Sequence, residues 1–230
     1  MKVATAAGGQ AHNRQARQSR PQLVCILADD SRSMAGPKAR AATEGIQEML
    51  MECQSKGPGG ERAYFLFKLI RFDDVATLDM DMTPVREIDP DDIVLKGSGG
   101  RTNITQALEI LYAGLERYVH GLQQHPERNE HPLPLVLLFS DGHHNVGPGP
   151  DGIAQKVKSL SLDGDPVIVA TAGVSIGAGD KPDEKMLRSI ATDNLYVPIT
   201  NADVLVDFIS AVGSSGASTS EELRTIIESL

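Results

Sequence analysis

Three oxygen-bearing side chains lie at alternate positions early in the sequence: Asp29, Ser31 and Ser33. They follow residues 24–28, a run of small and apolar residues that is typical of a strand buried on both faces of a parallel sheet. In α/β proteins, ligands bind beyond the carboxyl ends of such strands. Carboxylate and hydroxyl oxygens are hard donors that suit Mg²⁺ or Mn²⁺ and suit zinc poorly. This turn therefore predicts half of a divalent-metal site.

Two further loops offer oxygen ligands. Thr102 lies in a glycine-rich loop, residues 97–103, that opens a long helix, and Asp141 follows an apolar strand over residues 133–139. A doubly wound sheet brings such loops together at its carboxyl edge. The three loops together supply two carboxylates and three hydroxyls, which do not fill the six positions around Mg²⁺. We therefore expect a Mg²⁺ site, with Mn²⁺ or Ca²⁺ as alternatives, that keeps one position open for a partner's carboxylate.

The elements that must position these loops alternate between strand and helix. After the first strand, strands are predicted over residues 63–72, 75–80, 133–139, 166–174 and 195–198. Helices are predicted after Gly36-Pro37, after residues 97–103, over residues 153–160, 183–191 and 202–212, and from a capping box at Ser218 onward. The strand over 75–80 is expected to pair antiparallel with its predecessor. The pattern predicts a doubly wound α/β fold, with a mostly parallel sheet, one antiparallel edge strand and helices on both faces.

Length, charge and cysteine content limit the class of protein. The 230 residues suit one domain, which we place at 22–213, after a basic flexible arm (1–21) and before a linker with a short amphipathic helix (214–230). The net charge of −9 argues against a nucleic-acid-binding surface, and no apolar run could cross a bilayer. The arm lacks the apolar segment of a secretory signal. Cys25 and Cys53 are expected to be buried and reduced, which indicates a cytoplasmic location.

Three short motifs resemble those of the von Willebrand factor type A domain, in the same order and at comparable separations. They are Asp29-x-Ser31-x-Ser33, Gly99-Gly100-Arg101-Thr102-Asn103 and Ser140-Asp141-Gly142. Each motif alone is weakly specific, but the three in order on an alternating α/β pattern are strongly specific. The resemblance covers roughly residues 22–213 and implies the Rossmann-like fold of that family.

The resemblance also implies a metal-ion-dependent adhesion site. In such a site Ser31, Ser33 and Thr102 coordinate Mg²⁺, while Asp29 and Asp141 act directly or through water. The last ligand is commonly an Asp or Glu of a partner protein. Within the family, the compact layout resembles intracellular bacterial members such as the TerY-like proteins. Those are associated with tellurite resistance and are often linked to protein kinases and phosphatases in stress responses.

Some residues near the motifs allow more than one interpretation. Arg32 stands where the family most often has glycine, so it either obstructs the open metal position or holds an acidic ligand. His143 and His144 are either exposed and inert, or one of them lines the rim and makes ligand choice depend on pH. Asp73-Asp74 is interpreted as a solvated turn. The apolar stripe of the last helix either packs on its own domain or fits a partner's groove.

The leading hypothesis is a non-enzymatic module for metal-dependent protein–protein interaction. We expect it in a bacterial stress-response or signalling assembly with kinase, phosphatase or ATPase components. The first alternative is a Mg²⁺-dependent phosphohydrolase, with Asp29 as nucleophile or Asp141 as base and a neighbouring histidine as acid. Phosphoryl binding would then depend on Arg32 or Arg101, the cations that adjoin the candidate ligands in sequence. The second alternative is a structural subunit of an ATPase-associated complex with a vestigial metal site.

Overall fold

The computed structural model describes most of the chain. The described residues are 21–56, 64–124, 133–141, 144–162, 164–177, 181–217 and 219–230. Residues 1–20 of the predicted arm, His143 and the predicted cap Ser218 lie outside them. Within the described residues, no helix is both long enough and apolar enough to span a membrane.

A six-stranded sheet lies at the centre of the fold. The described strands are β1 (Pro21–Asp29), β2 (Tyr64–Phe72), β3 (Ala76–Pro84), β4 (Leu135–Ser140), β5 (Ser161–Leu162), β6 (Asp165–Pro166), β7 (Ile168–Val174) and β8 (Tyr196–Ile199). The sheet order is β3-β2-β1-β4-β7-β8, and β5 and β6 form a separate two-stranded hairpin. Within the sheet, β2 and β3 pair antiparallel and the other neighbours pair parallel. The predicted fold class is confirmed, including its antiparallel edge strand.

Helices cover both faces of this sheet. They are α1 (Pro37–Ser55), α2 (Ile104–Gln123), α3 (Asp151–Ser159), α4 (Glu184–Ile190), α5 (Ala202–Asp207) and α6 (Ser220–Glu228), and α5 continues into a π-helical turn (Phe208–Val212). Helices α1, α5 and α6 pack on one face, and α2, α3 and α4 pack on the other. Each group buries its own apolar cluster against the sheet.

Strand β1 contributes to both apolar clusters because successive side chains of a strand point to opposite faces. Ile26 lies in the cluster beneath α1, whereas Cys25 and Leu27 lie in the cluster beneath α2. All three side chains are fully buried. This placement in the middle of a covered parallel sheet explains why the strand is a continuous apolar run without polar alternation.

Several strand boundaries differ from the sequence prediction, and two of the differences have a local cause. Strand β3 continues to Pro84 rather than ending at residue 80, through Met82 at a φ of 49°. The pairing of β3 with β2 shifts register there, so the alternation that predicts a strand is interrupted. Strand β7 begins at Ile168 rather than at residue 166, because the preceding residues belong to the β5–β6 hairpin.

The last helix is capped one residue later than predicted and packs on its own domain. Its N-cap is Thr219, not Ser218, and the Thr219 hydroxyl accepts a hydrogen bond of 3.2 Å from the backbone N–H of Glu222. Leu223 is fully buried in the cluster beneath α1 and α5. Arg224 donates a hydrogen bond of 3.1 Å to the carbonyl of Asp193. In this structure the apolar stripe therefore faces the domain itself.

Candidate metal centre

The neighbouring ends of β1 and β4 bring the first and third motifs together. Ala28 lies opposite Phe139 in the parallel register, so Asp29 and Ser140 end adjacent strands. The Ser140 hydroxyl donates a short hydrogen bond to Oδ2 of Asp29. Because Asp141 directly follows Ser140, the register alone places both carboxylates at the same sheet edge.

Asp29 is a fully buried carboxylate, and each of its two oxygens accepts a hydrogen bond. Its Oδ2 accepts from Ser140, and its Oδ1 accepts the backbone N–H of Ser31 at 2.9 Å. Burial raises the pKa of Asp29 to about 6, and the negative charge of Asp141 adds to the rise, while the hydrogen bonds from Ser140 and Ser31 oppose it. Asp29 thus fixes the conformation of the turn that carries the two serines.

A hydrogen-bonded chain joins the serines to Asp141. The hydroxyl oxygens of Ser31 and Ser33 are 3.1 Å apart, and the Ser33 hydroxyl donates to Oδ1 of Asp141 at 2.6 Å. With Asp29 bonded to the backbone of Ser31, four of the five predicted site residues form one connected cluster. Their role as metal ligands stays a prediction.

Thr102, the fifth predicted residue, is buried in a loop that lies against the β1 turn. Asp30, the residue after β1, accepts the backbone N–H of Gly97 at 2.6 Å through its side chain and that of Gly99 at 3.0 Å through its carbonyl. On the other side, Thr102 and Asn145 exchange hydrogen bonds of 2.9 and 3.1 Å. Among the described residues, no hydrogen bond joins the Thr102 hydroxyl to the other four. The structure brings its loop to the site without a direct link.

The Asp73-Asp74 turn is hydrogen-bonded to the glycine-rich loop. This finding corrects the interpretation of Asp73-Asp74 as merely a solvated turn. The Asp73 carbonyl accepts the N–H of Asn103 at 2.8 Å, and the Asp74 side chain accepts the N–H of Arg101 at 3.0 Å. The glycines at 99–100 allow this approach, because a Cβ at either position would overlap one of the two carboxylates. The need for glycine is strongest at position 99, where the Cβ of Asp73 lies in the way as well as its carboxylate.

Lys38 contacts the site, and sequence reasoning missed it. Its Nζ forms an ion pair with Oδ2 of Asp141 and donates to the backbone carbonyl of Ser33 at 3.1 Å. The side chain is largely buried, although it lies in the first turn of a helix whose spacing suggests an exposed lysine. No local pattern reveals this contact, since it depends on how α1 leaves the β1 turn.

The donor set fits a small, hard divalent cation. Within the described residues, no three His, Cys, Asp or Glu side chains gather as ligands, whereas the Ser31 and Ser33 hydroxyls lie beside Asp141. Neighbouring ligands on an octahedron with bonds of 2.0–2.1 Å lie about 3 Å apart. The separation of 3.1 Å between the Ser31 and Ser33 hydroxyls matches that spacing. Ser33 is also exposed, so the site opens to solvent.

The flanking cations and the histidine occupy different environments. Arg32 and Arg101, which adjoin ligands in sequence, are exposed. The His144 ring lies 2.7 Å from the Pro148 carbonyl and 3.4 Å from the Thr105 hydroxyl, measured from Nε2. His144 is thus held within its own loop and against the start of α2. Its neighbour His143 lies outside the described residues.

Comparison with known proteins identifies the fold. No protein-family model and no curated protein matches the chain. Among solved structures, proximal thread matrix protein 1 from the mussel byssus matches with a TM-score of 0.58 and 20% identity, over 84% of this chain and 47% of its own. A von Willebrand factor type A protein from Catenulispora acidiphila matches with a TM-score of 0.62 and 16% identity, over 86% and 43%. The chain has the von Willebrand factor type A fold.

Two further structures extend this comparison. The pilus adhesin SpaC from Lactobacillus rhamnosus GG matches with a TM-score of 0.61 and 14% identity, over 92% of this chain and 31% of its own. Another structure of the mussel matrix protein, with a TM-score of 0.56 and 22% identity, has a zinc-occupied MIDAS motif, the metal-ion-dependent adhesion site. The chain spans less than half the length of each of these proteins. At such identities the similarity establishes the fold.

Proposed function

We propose that this chain is a non-enzymatic, metal-dependent protein-binding module. The observation that carries the proposal is the hydrogen-bonded cluster in which Ser31 and Ser33 from one loop meet Asp141 from another, at the carboxyl ends of β1 and β4. Hard oxygen donors converge there beside solvent, which is the arrangement that a cation with an accessible coordination position requires. The partner would supply an Asp or Glu carboxylate.

The proposed ligand roles are those that the resemblance to the von Willebrand factor type A domain implies. Ser31, Ser33 and Thr102 would coordinate the ion through their hydroxyls, with Asp29 and Asp141 acting directly or through water. When bound, Mg²⁺ would supply a positive charge and a vacant position that a partner's carboxylate fills. The all-oxygen donor set favours Mg²⁺ over zinc, with Mn²⁺ or Ca²⁺ as alternatives. The zinc-occupied MIDAS motif of the mussel matrix protein supports a bound divalent ion in a protein of this fold.

The geometry favours binding over phosphoryl hydrolysis. Asp29 is fully buried and accepts hydrogen bonds on both oxygens, so it is poorly placed to attack a substrate. Lys38 adds a fixed cation to Arg32 and Arg101, but its ammonium is engaged by Asp141 and by a backbone carbonyl. His144 is bonded within its own loop. None of these groups presents a free nucleophile with an adjacent acid.

The setting of this interaction is proposed from the sequence resemblance. A bacterial, cytoplasmic assembly for stress response or signalling, of the kind that includes TerY-like proteins, would offer kinase, phosphatase or ATPase components as partners. A structural subunit with a vestigial metal site is the remaining alternative. It predicts no binding of divalent ions, whereas the binding module requires it.

A peptide selection tests the proposal directly. Peptides displayed on a surface would be selected for binding to the full chain in excess Mg²⁺, and each selected peptide would be remade with its acidic residues changed to amides. We expect binding that is lost in EDTA, lost with the amide peptide, and reduced about a hundredfold or more in the Ser31→Ala, Ser33→Ala double variant. Ser55→Ala removes an exposed hydroxyl on α1 and is the matched control. Peptide binding that persists in EDTA and in the double variant would refute the proposal.

A further inference from the structure

We propose that Lys38 is a resident counter-cation that a divalent ion must displace from Asp141, so that Lys38 sets the metal affinity of the site. This inference rests on the proposed function and concerns the regulation of the same site. It assigns to a residue outside the three motifs the role of holding the metal-free site together and weakening metal binding.

The contacts of Lys38 place its ammonium among the candidate ligands. Nζ pairs with Oδ2 of Asp141 and donates to the carbonyl of Ser33 at 3.1 Å. The other oxygen of Asp141 accepts from the Ser33 hydroxyl at 2.6 Å. Both oxygens of the carboxylate are therefore already used inside the protein. The Ser33 hydroxyl keeps its lone pairs for a cation while it donates to Asp141, but a metal ion that coordinates Asp141 competes with the Lys38 ammonium for the same carboxylate.

Burial makes the ion pair between Lys38 and Asp141 stronger than a surface pair. Lys38 is 8% exposed and Asp141 is 3% exposed, so water screens their attraction poorly. Breaking a buried pair leaves an uncompensated charge on each side. In the metal-free protein the ammonium thus neutralises a carboxylate that would otherwise face the nearby Asp29 as a second buried negative charge.

The position of Lys38 on α1 is a second, independent observation. Lys38 follows Pro37 in the first helical turn, which contains no acidic residue. The amino-terminal end of a helix carries a partial positive charge and disfavours cations. A lysine at this position is therefore stabilised by its tertiary partner, not by its own helix. Asp141 supplies that partner.

Charge balance explains why the ammonium and the divalent ion compete. Asp29 and Asp141 with Lys38 carry one excess negative charge when all three are ionised. A divalent ion added to the same three groups leaves one excess positive charge within a poorly screened site. Movement of the ammonium away from Asp141 relieves this repulsion, and the energy needed to break the pair is subtracted from the metal affinity.

Replacement of Lys38 by a neutral side chain of similar length tests the inference. Affinity for Mg²⁺ would be measured by titration calorimetry, and affinity for Mn²⁺ by electron paramagnetic resonance, with the full chain at one fixed pH. Because a charge-assisted hydrogen bond shifts an equilibrium by about tenfold or more, Lys38→Met is expected to bind both ions about tenfold more tightly than the wild type. Metal-free Lys38→Met should melt at a lower temperature than the metal-free wild type. Added metal should raise its melting temperature by more than it raises that of the wild type.

Lys56→Met is the matched control. Lys56 lies just beyond the other end of α1, where it pairs with Glu52 and with the carbonyl of Ser214. This variant should leave the affinity for both ions within about twofold of the wild type, since it removes a lysine contact remote from the metal ligands.

A second measurement uses the unmutated protein, so it does not depend on whether the variant folds. Acetylation of individual lysines would be followed by mass spectrometry, with and without saturating Mg²⁺. Labelling of Lys38 should rise severalfold with metal, while labelling of Lys68, buried beside Asp81, should not change. Equal or weaker metal binding by Lys38→Met, or unchanged labelling of Lys38, overturns the inference and leaves the metal site standing. No binding by either protein overturns the proposed function as well.

Discussion

Ser33 donates a hydrogen bond of 2.6 Å to Asp141 across a separation of 108 positions in the sequence. This contact joins the turn after β1 to the turn after β4, and it exists because β1 and β4 are parallel neighbours in the sheet. The same adjacency places Ser140 against Asp29. Two hydrogen bonds, one made by Ser140 and one by Asp141, therefore join the end of β4 to the end of β1 and its turn at the candidate metal centre.

Asp30 should control metal affinity without being a ligand. Its carboxylate accepts the backbone N–H groups of Lys96 and Gly97, which hold the loop of Thr102 against the β1 turn. We expect Asp30→Ala to lower stability by about 1–3 kcal/mol and to weaken Mn²⁺ binding about tenfold or more, because Thr102 is no longer held in place. Chemical denaturation and metal titration measure the two effects.

Asp165→Ala is the control for Asp30, since it removes an exposed carboxylate from the β5–β6 hairpin. This variant should change neither the stability nor the Mn²⁺ affinity beyond the usual range for surface substitutions. An Asp30→Ala variant with wild-type metal affinity would show that the loop keeps Thr102 in place by other contacts.

Gly99→Ala should disrupt the approach of the glycine-rich loop to the turn at Asp73. A Cβ at position 99 overlaps the side chain of Asp73, so the loop or the Asp73 turn must shift. Overpacking of this kind costs about 1–3 kcal/mol, and the displaced loop should also bind Mn²⁺ more weakly. Gly121→Ala is the matched control, because that glycine lies inside α2 with open space around it. The control should gain about 0.5–1 kcal/mol of stability. Wild-type stability and affinity in Gly99→Ala would contradict the requirement for glycine.

The two thiols should be unreactive in the folded protein. Burial raises the pKa of both Cys25 and Cys53 from 9.0 to about 12. The unfolded chain therefore releases these protons at lower pH than the folded chain. The contribution of the two protonated thiols to the free energy of unfolding is thus fully present below pH 9 and is lost as the pH rises toward 12. We expect no labelling by a thiol reagent at pH 7.5, full labelling in urea, and a fall in the free energy of unfolding above pH 9. Cys25→Ala should make that fall less steep. Rapid labelling of the native protein at pH 7.5 would show that the thiols are accessible.

Most of the fold could be predicted from sequence because most elements have a simple apolar pattern, whereas the short strands β5 and β6 have none. The apolar run at 24–28 indicates a covered parallel strand, and the spacing of Ile104, Leu108 and Leu111 indicates the buried face of α2. Boundaries were less accurate where a local irregularity intervened. Met82, with its positive φ, extends β3 beyond the alternating segment, and Thr219 rather than Ser218 caps α6.

The candidate site could be predicted only in part, since its supporting contacts are tertiary. Asp29 ends a strand and Ser31, Ser33 and Asp141 follow strand ends, which are visible in a sequence. Lys38 and Asp30 have no such signal, because a lysine in a first helical turn and an aspartate beside a motif are ordinary surface residues by pattern. Only the path of α1 and of the loop over 96–99 turns them toward the site.

Anomalous diffraction from crystals grown with saturating Mn²⁺ tests the central claim most directly. We predict one manganese position at about 2.1–2.3 Å from the hydroxyl oxygens of Ser31, Ser33 and Thr102, with Nζ of Lys38 no longer on Asp141. A map with no manganese at these hydroxyls, and with Lys38 still paired to Asp141, would contradict the account.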